Sequence, residues 1–325
     1  MFSKIRAKLR PLQGLGVPKE AGKSDSRPVK SGDRKGQSLA AIAEETIDVL
    51  PGILESLPDL DAASSTKYDL ADLHPLDPLM CPGFQTLSEE GQQAGDMVGT
   101  RITVLNADSF DVAIGMQAPR DESGSEARQN DHRIAVLNLA SDKNPGGGWL
   151  HGAAAQEEAL CFRSSLILSL HQHYYPWSPR MGLYTRDVVI IRDAIDAGHG
   201  LLVPRMAPHD LPVVSVISIA GIRSPPLSQD RQHFEDPTDR ELTKDKMRLC
   251  LRIAATEKHR HLVLGAIGCG AFANPPRHVA SCWLEVLQEA EFVGGWWRTV
   301  SFAVYDSRNE GNFAVFKNSL HDKVV

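Results

Sequence analysis

The chain has 325 residues, of which 42% are hydrophobic and 23% charged, with a formal net charge of −6. That length supports one large domain or two modest ones with ample core, and the acidic balance argues against a sequence-specific or broadly electrostatic nucleic-acid binder. No apolar run approaches the ~18 residues of a membrane span, so no membrane partner is expected.

Residues 1–36 carry ten Lys/Arg against three Asp/Glu and few apolar residues after Leu15, which predicts a disordered basic tail. Phe2, Ile5 and Leu9 alternate there with Lys4, Arg6, Lys8 and Arg10. Two readings stay open: a basic solvated tail, which is favoured, and a mitochondrial targeting segment. Residues 37–56 read as a helix with the stripe Leu39, Ile42, Ile47, Leu50 and Leu54, broken or kinked at Pro51. Residues 57–97 are rich in Asp and Pro and read as irregular, and Arg101–Leu105 as a strand. Gln117–Asp131 reads as a polar loop. From Ile134 the segments alternate. Strands are predicted over 134–139, 187–192, 213–219, 262–267 and 299–305, and helices over 157–171, 238–258 and 277–291. Continuous apolar strands interleaved with amphipathic helices indicate a three-layer α/β/α domain whose sheet is covered on both faces. The five cysteines, Cys81, Cys161, Cys250, Cys269 and Cys282, are scattered and form no C-x-x-C pair. Reduced thiols of an intracellular protein, nuclear and/or cytoplasmic, are expected, with no metal site.

Ligand sites in such sheets form at the carboxyl ends of strands, and two glycine-rich segments fall there. The first is Asn144-Pro145-Gly146-Gly147-Gly148, followed seven residues later by Gln156-Glu157-Glu158. Glycines leave the backbone open to a ligand and permit positive φ, and exposed amides can bind phosphate or ribose oxygens. A flexible turn is the plainer reading. Neither G-x-G-x-x-G nor a P-loop is present. Acidic residues at a helix start also have a plain reading, through the macrodipole. Beside a glycine loop they suggest more. Adjacent helical residues point about 100° apart, so one carboxylate can act as acid/base while its neighbour holds a different group. The second segment, Gly268-Cys269-Gly270-Ala271-Phe272, suits a diphosphate against its glycines and a ribose or base against the ring. A tight strand-to-helix turn with a core Phe is its plain reading, and Cys269 as a nucleophile is a minor one. His171-Gln172-His173 is read as non-metal, since i,i+2 residues of a helix do not share a face.

The triple glycine, the gap of seven and Gln-Glu-Glu resemble the signature of poly(ADP-ribose) glycohydrolases. The segments Ile42–Thr46, Val136–Ser141, Tyr184–Val188 and Gly265–Pro275 narrow the likeness to the microbial type, over roughly residues 38–315. The resemblance implies a macrodomain fold with a mixed sheet over 98–325, an N-terminal helical extension over 37–97, and hydrolysis of the ribose–ribose O-glycosidic bond of poly(ADP-ribose) from chain ends. It makes Glu158 the acid/base and Glu157 the holder of ribose hydroxyls. It places Asn144, Gly146, Gly147, Gly148, Gln156, Gly268, Cys269, Gly270, Ala271 and Phe272 against the substrate. The expected partners are poly(ADP-ribose) or ADP-ribosylated proteins, bound by a monomer without metal or redox cofactor. The alternatives are a hydrolase of mono-ADP-ribosyl linkages on protein or nucleic acid, and an inactive ADP-ribose-binding module. One segment departs from the family pattern. Val216–Pro225 lacks the expected Ala-Pro-Asn-like run, which bears on the adenine side or the cleft rim.

Overall fold

The computed structural model describes residues 38–84, 99–117 and 133–325. The basic tail and most of the polar loop expected over 117–131 lie outside them. Strands are numbered β1 Thr66–Asp69, β2 Ile102–Leu105, β3 Ala135–Ala140, β4 Met181–Val189, β5 Val213–Ala220, β6 His261–Leu264 and β7 Thr299–Ala303. Helices are α1 Leu39–Glu55, α2 Ser109–Met116, α3 Gln156–Arg163, α4 Pro237–Thr256, α5 Pro276–Leu287 and α6 Asn312–Leu320.

The seven strands form one sheet in the order β1-β4-β5-β3-β6-β7-β2. Five strands, β5-β3-β6-β7-β2, run parallel, and β4 and β1 add an antiparallel edge. The sheet is therefore mixed, as expected. Side chains alternate across it. Ala135 and Leu137 of β3 join a core with Leu249 and Ile253 of α4, Trp283 and Val286 of α5, and Phe316 of α6. Val136 and Ala140 face the other way, into a core with Ile42 and Leu50 of α1, Phe110 of α2 and Leu160 and Phe162 of α3. Period-two alternation thus feeds two helical layers from one strand.

The N-terminal region differs from the helical extension expected over 37–97. Helix α1 runs unbroken through Pro51. After it, Thr66–Asp69 adds an edge strand to the main sheet, Thr66 facing Tyr184 and Asp69 facing Met181. The four residues Thr-Lys-Tyr-Asp show no apolar alternation, and backbone pairing to β4 is what orders them. Residues 85–97 lie outside the described residues. The strand expected over 187–192 starts earlier, at Met181, and ends at Val189. The helix expected over 157–171 stops at Arg163, where Ser164 turns extended (φ −151°, ψ 178°). Ser164 Oγ donates back to Leu160 O at 2.8 Å and Ser165 N donates to Val189 O at 3.0 Å. Serines that satisfy the backbone in this way compete with helix continuation.

Candidate active site

Helix α3 is positioned by partners on three sides. At its start, Gln156 Oε1 accepts from Leu139 N at 2.8 Å, and its Nε2 donates to Leu137 O at 2.9 Å and Ser109 Oγ at 3.1 Å. Gln156 was expected against the substrate. Its amide is instead consumed in clamping α3 to β3 and α2, because a glutamine beside a strand can pair with both backbone groups that point at it. At the other end, buried Arg163 pairs with Asp108, which caps α2, and with Asp111 at 2.6 Å. Thr46 of α1 donates to Phe162 O at 2.8 Å.

This scaffold fixes the two carboxylates differently. Glu157 is 2% exposed and Glu158 8%. Glu157 Oε2 accepts from Ser141 N at 2.8 Å, and Oε1 accepts from Asn138 Nδ2 at 3.4 Å. Asn138 in turn donates to Ser218 Oγ at 3.0 Å, its partner across the β3–β5 pair. Burial pushes the Glu157 carboxyl up to about 8, against the pull of the Ser141 and Asn138 hydrogen bonds; the neighbouring Glu158 adds to the rise. Glu158 turns toward the first glycine loop, where its Oε1 accepts from Gly148 N at 2.9 Å. The two acids diverge as their helical positions require.

The first loop is a series of tight turns. Gly147 N donates to Asn144 O at 3.0 Å and Trp149 N to Gly146 O at 3.2 Å. Gly147 takes φ +60°, and a Cβ there would collide with Glu158 Oε1. Only glycine lets that carboxylate lie against the turn. Asn144 is exposed, beside the loop rather than under it. Nearby, Trp177 N donates to Asp142 O at 2.9 Å. The Tyr175 hydroxyl is buried without a hydrogen bond, its pKa raised by burial and by the charges of Glu157 and Cys161.

The second loop leaves β6, the strand beside β3. Gly268 takes φ +74°, and a Cβ there would lie 2.6 Å from the Asn274 amide. Asn274 is buried, and its Nδ2 reaches the carbonyls of Ile222 (2.6 Å), Gly268 (3.1 Å) and Phe272 (3.1 Å). Pinned from beneath, the loop presents the amides of Gly270, Ala271 and Phe272, which make no hydrogen bond among the described residues. Cys269 does not share that role. Its amide donates to Ala266 O, its thiol points at Ile267 O, and burial raises the thiol pKa, the opposite of an activated nucleophile. Among the described residues, no group of three or more His, Cys, Asp or Glu could hold a metal ion. His171 and His173 stack at 5.4 Å around a short turn rather than lying on α3.

Residues 63–193 match the family model described as microbial-type PARG, catalytic domain. A crystal structure of poly(ADP-ribose) glycohydrolase from Deinococcus radiodurans in complex with ADP-ribose is 32% identical. The match covers 68% of this chain and 84% of that one, with a TM-score of 0.53. The chain belongs to the microbial-type poly(ADP-ribose) glycohydrolase family. A second Deinococcus structure with ADP-ribose is 27% identical over 83% of this chain and 97% of that one, with a TM-score of 0.60. The enzyme from Thermomonospora curvata is 25% identical over 86% and 98%, with a TM-score of 0.63. No curated protein matches the chain. Three loops follow the adjacent parallel strands β5, β3 and β6 and lie at the carboxyl ends of those strands. Sequence reasoning found two of these loops. It missed Asn138, Ser218 and Asn274, polar residues that hold the acids and the second loop from below. Asn274, directly before Pro275-Pro276, was the one with a local signal, since a buried Asn at a loop-to-helix junction commonly ties up backbone groups.

Proposed function

We propose that this chain hydrolyses the ribose–ribose O-glycosidic bonds of poly(ADP-ribose), removing ADP-ribose units from chain ends. The observation that carries the reading is the placement of Glu158, held by a glycine-loop amide with an unbranched backbone against its carboxylate. A ribosyl bond cleaves through an oxocarbenium-like state, so the departing ribose oxygen needs a proton. Glu158 supplies it as the C1–O bond breaks. The carboxylate then takes a proton from the water that attacks C1, which regenerates the acid. Glu157, deeper and protonated near neutral pH, can donate a hydrogen bond to a ribose hydroxyl while Ser141 N holds its other oxygen. The bare amides of Gly270, Ala271 and Phe272 are suited to diphosphate oxygens. The substrate's own diphosphate can stabilise the positive charge that develops at C1.

Incubation of wild type and Glu158→Ala with poly(ADP-ribose), followed by chromatography of released ADP-ribose, tests the assignment. Wild type releases ADP-ribose, and the variant loses at least ~10²–10⁴-fold in rate, the range of general acid/base catalysis. Equal rates would remove Glu158 from the chemistry. Release only from a mono-ADP-ribosylated substrate would favour the second linkage class, and binding of ADP-ribose without any release would favour a binding module. The five free thiols support a reducing, intracellular location. Imaging of tagged full-length chain and of a chain lacking residues 1–36 tests that location and the targeting role of the basic tail together.

A further inference from the structure

The loop after β5 is where the sequence departs from the family pattern, and the residue at its apex meets both glycine loops. The Arg223 guanidinium carbon lies 4.0 Å from the centroid of the Phe272 ring, in the loop after β6. Its Nη2 donates to Asp142 Oδ1 at 2.8 Å, in the loop after β3. Because β5, β3 and β6 are neighbouring parallel strands, all three loops leave the same, carboxyl, end of the strands. The backbone around Arg223 is tied down. Ile222 O accepts from Asn274, and Ser224 N donates to Phe272 O at 2.8 Å. Ser224 and Ala273 both hold positive φ, +48° and +56°, without being glycine. They border an open depression of about 600 Å³. Strained backbone of this kind persists where the surroundings over-determine it, and it concentrates at ligand sites. The Arg223 side chain is 39% exposed and that of Asp142 34%, so solvent or a ligand can reach the pair.

We propose that Arg223 is a substrate-binding residue that exchanges Asp142 for the diphosphate of ADP-ribose while keeping its stack on Phe272. The inference rests on the glycohydrolase reading above. A half-exposed Arg–carboxylate pair is a weak interaction, whereas a guanidinium fork matches phosphate oxygens bidentately and stacks on rings in a way lysine cannot. Asp142 holds the fork between the loops. The bare amides of Gly270 to Phe272 lie in the loop on which the fork rests, so a diphosphate there would meet both.

Calorimetric titration of the full chain with ADP-ribose decides the matter, using wild type, R223A, R223K and D142N, with polymer hydrolysis and thermal unfolding run in parallel. R223A weakens ADP-ribose binding by roughly 10–100-fold, the range for hydrogen bonds to charged groups. It raises KM for the polymer and leaves kcat at saturation within a few-fold. R223K recovers part of the affinity. D142N binds ADP-ribose at least as tightly as wild type, because a competitor for the guanidinium is gone. If D142N loses as much affinity as R223A, Arg223 is a cross-link between loops and the assignment is overturned. It is equally overturned if R223A binds like a wild type that itself binds ADP-ribose, an outcome that leaves the glycohydrolase reading intact. A wild type that binds no ADP-ribose overturns both.

Discussion

The two glycine loops hold equivalent places, each at the carboxyl end of a parallel strand, yet they are built in opposite ways. In the first, the amides of Gly147 and Gly148 are engaged, by Asn144 O and by Glu158. In the second, three consecutive amides, those of Gly270, Ala271 and Phe272, make no hydrogen bond among the described residues, while Asn274 holds the loop from beneath. A loop whose donors are already used shapes and aims a side chain. A loop whose donors are free receives a ligand. The same residue type, glycine, serves both ends, by admitting a carboxylate at Gly147 and by making room for an asparagine at Gly268.

This contrast can be broken by substitution. Gly147→Ala drives a methyl into Glu158 at a positive φ, and kcat for polymer hydrolysis falls by about 100-fold or more. ADP-ribose affinity, measured by calorimetry, stays within a few-fold of wild type. An equal loss of affinity would mean that the first loop also carries the ligand. Asn274→Ala acts in the reverse sense. Losing the anchor under the second loop costs about 1–3 kcal/mol of stability in urea unfolding and weakens ADP-ribose binding by about tenfold, with a smaller change in kcat. A variant whose kcat collapses while its affinity holds would show that the two loops do not divide the work.

The smallest effect concerns the buried acid. The folded-state pKa of Glu157 lies at about 8, above its unfolded value near 4.5. Its contribution to stability is therefore complete below about pH 4.5 and drains as the pH rises through about 8. Glu157→Gln has no such titration. Between pH 5 and pH 8 the variant gains on wild type by on the order of 1–3 kcal/mol in urea melts. A constant difference across that range would place the ionisation elsewhere.

Much of this was legible in the sequence. The run Ile134–Leu139, the glycines and the acids declare strand, turn and helix, because each signal is local and periodic. Helices α4 and α5 follow for the same reason. Strand β1 did not, since Thr66–Asp69 owes its order to an edge supplied by residues more than a hundred positions away. The apolar pattern of helix α3 runs on past Ser164, but the serines' hydrogen bonds end the helix at Arg163. Gln156 stood within the signature and so was read with the ligand, although its contacts are to β3 and α2. Arg223 and Asn274 carry no periodic signal at all. Arg223 takes its meaning from loops far apart in the chain, and Asn274 from bonds within its own loop together with one to Ile222 O.

Those contacts have a consequence for assembly. Arg223 and Asp142 stand 81 residues apart, and the loop carrying Phe272 is made later still. Of the three strands that bear these loops, the central strand β3 emerges first and acquires its neighbours β5 and β6 only after long excursions of chain. Helix α3 is therefore synthesised well before β5, β6 and the loops that follow them, and the three loops come together only when the parallel pairing is complete. Non-local pairing of this kind is slow relative to helix formation. On the proposed binding mode a ligand spanning the three loops binds only the finished sheet, and the expected outcome is that ADP-ribose protects the molecule against global unfolding rather than against the opening of any single loop.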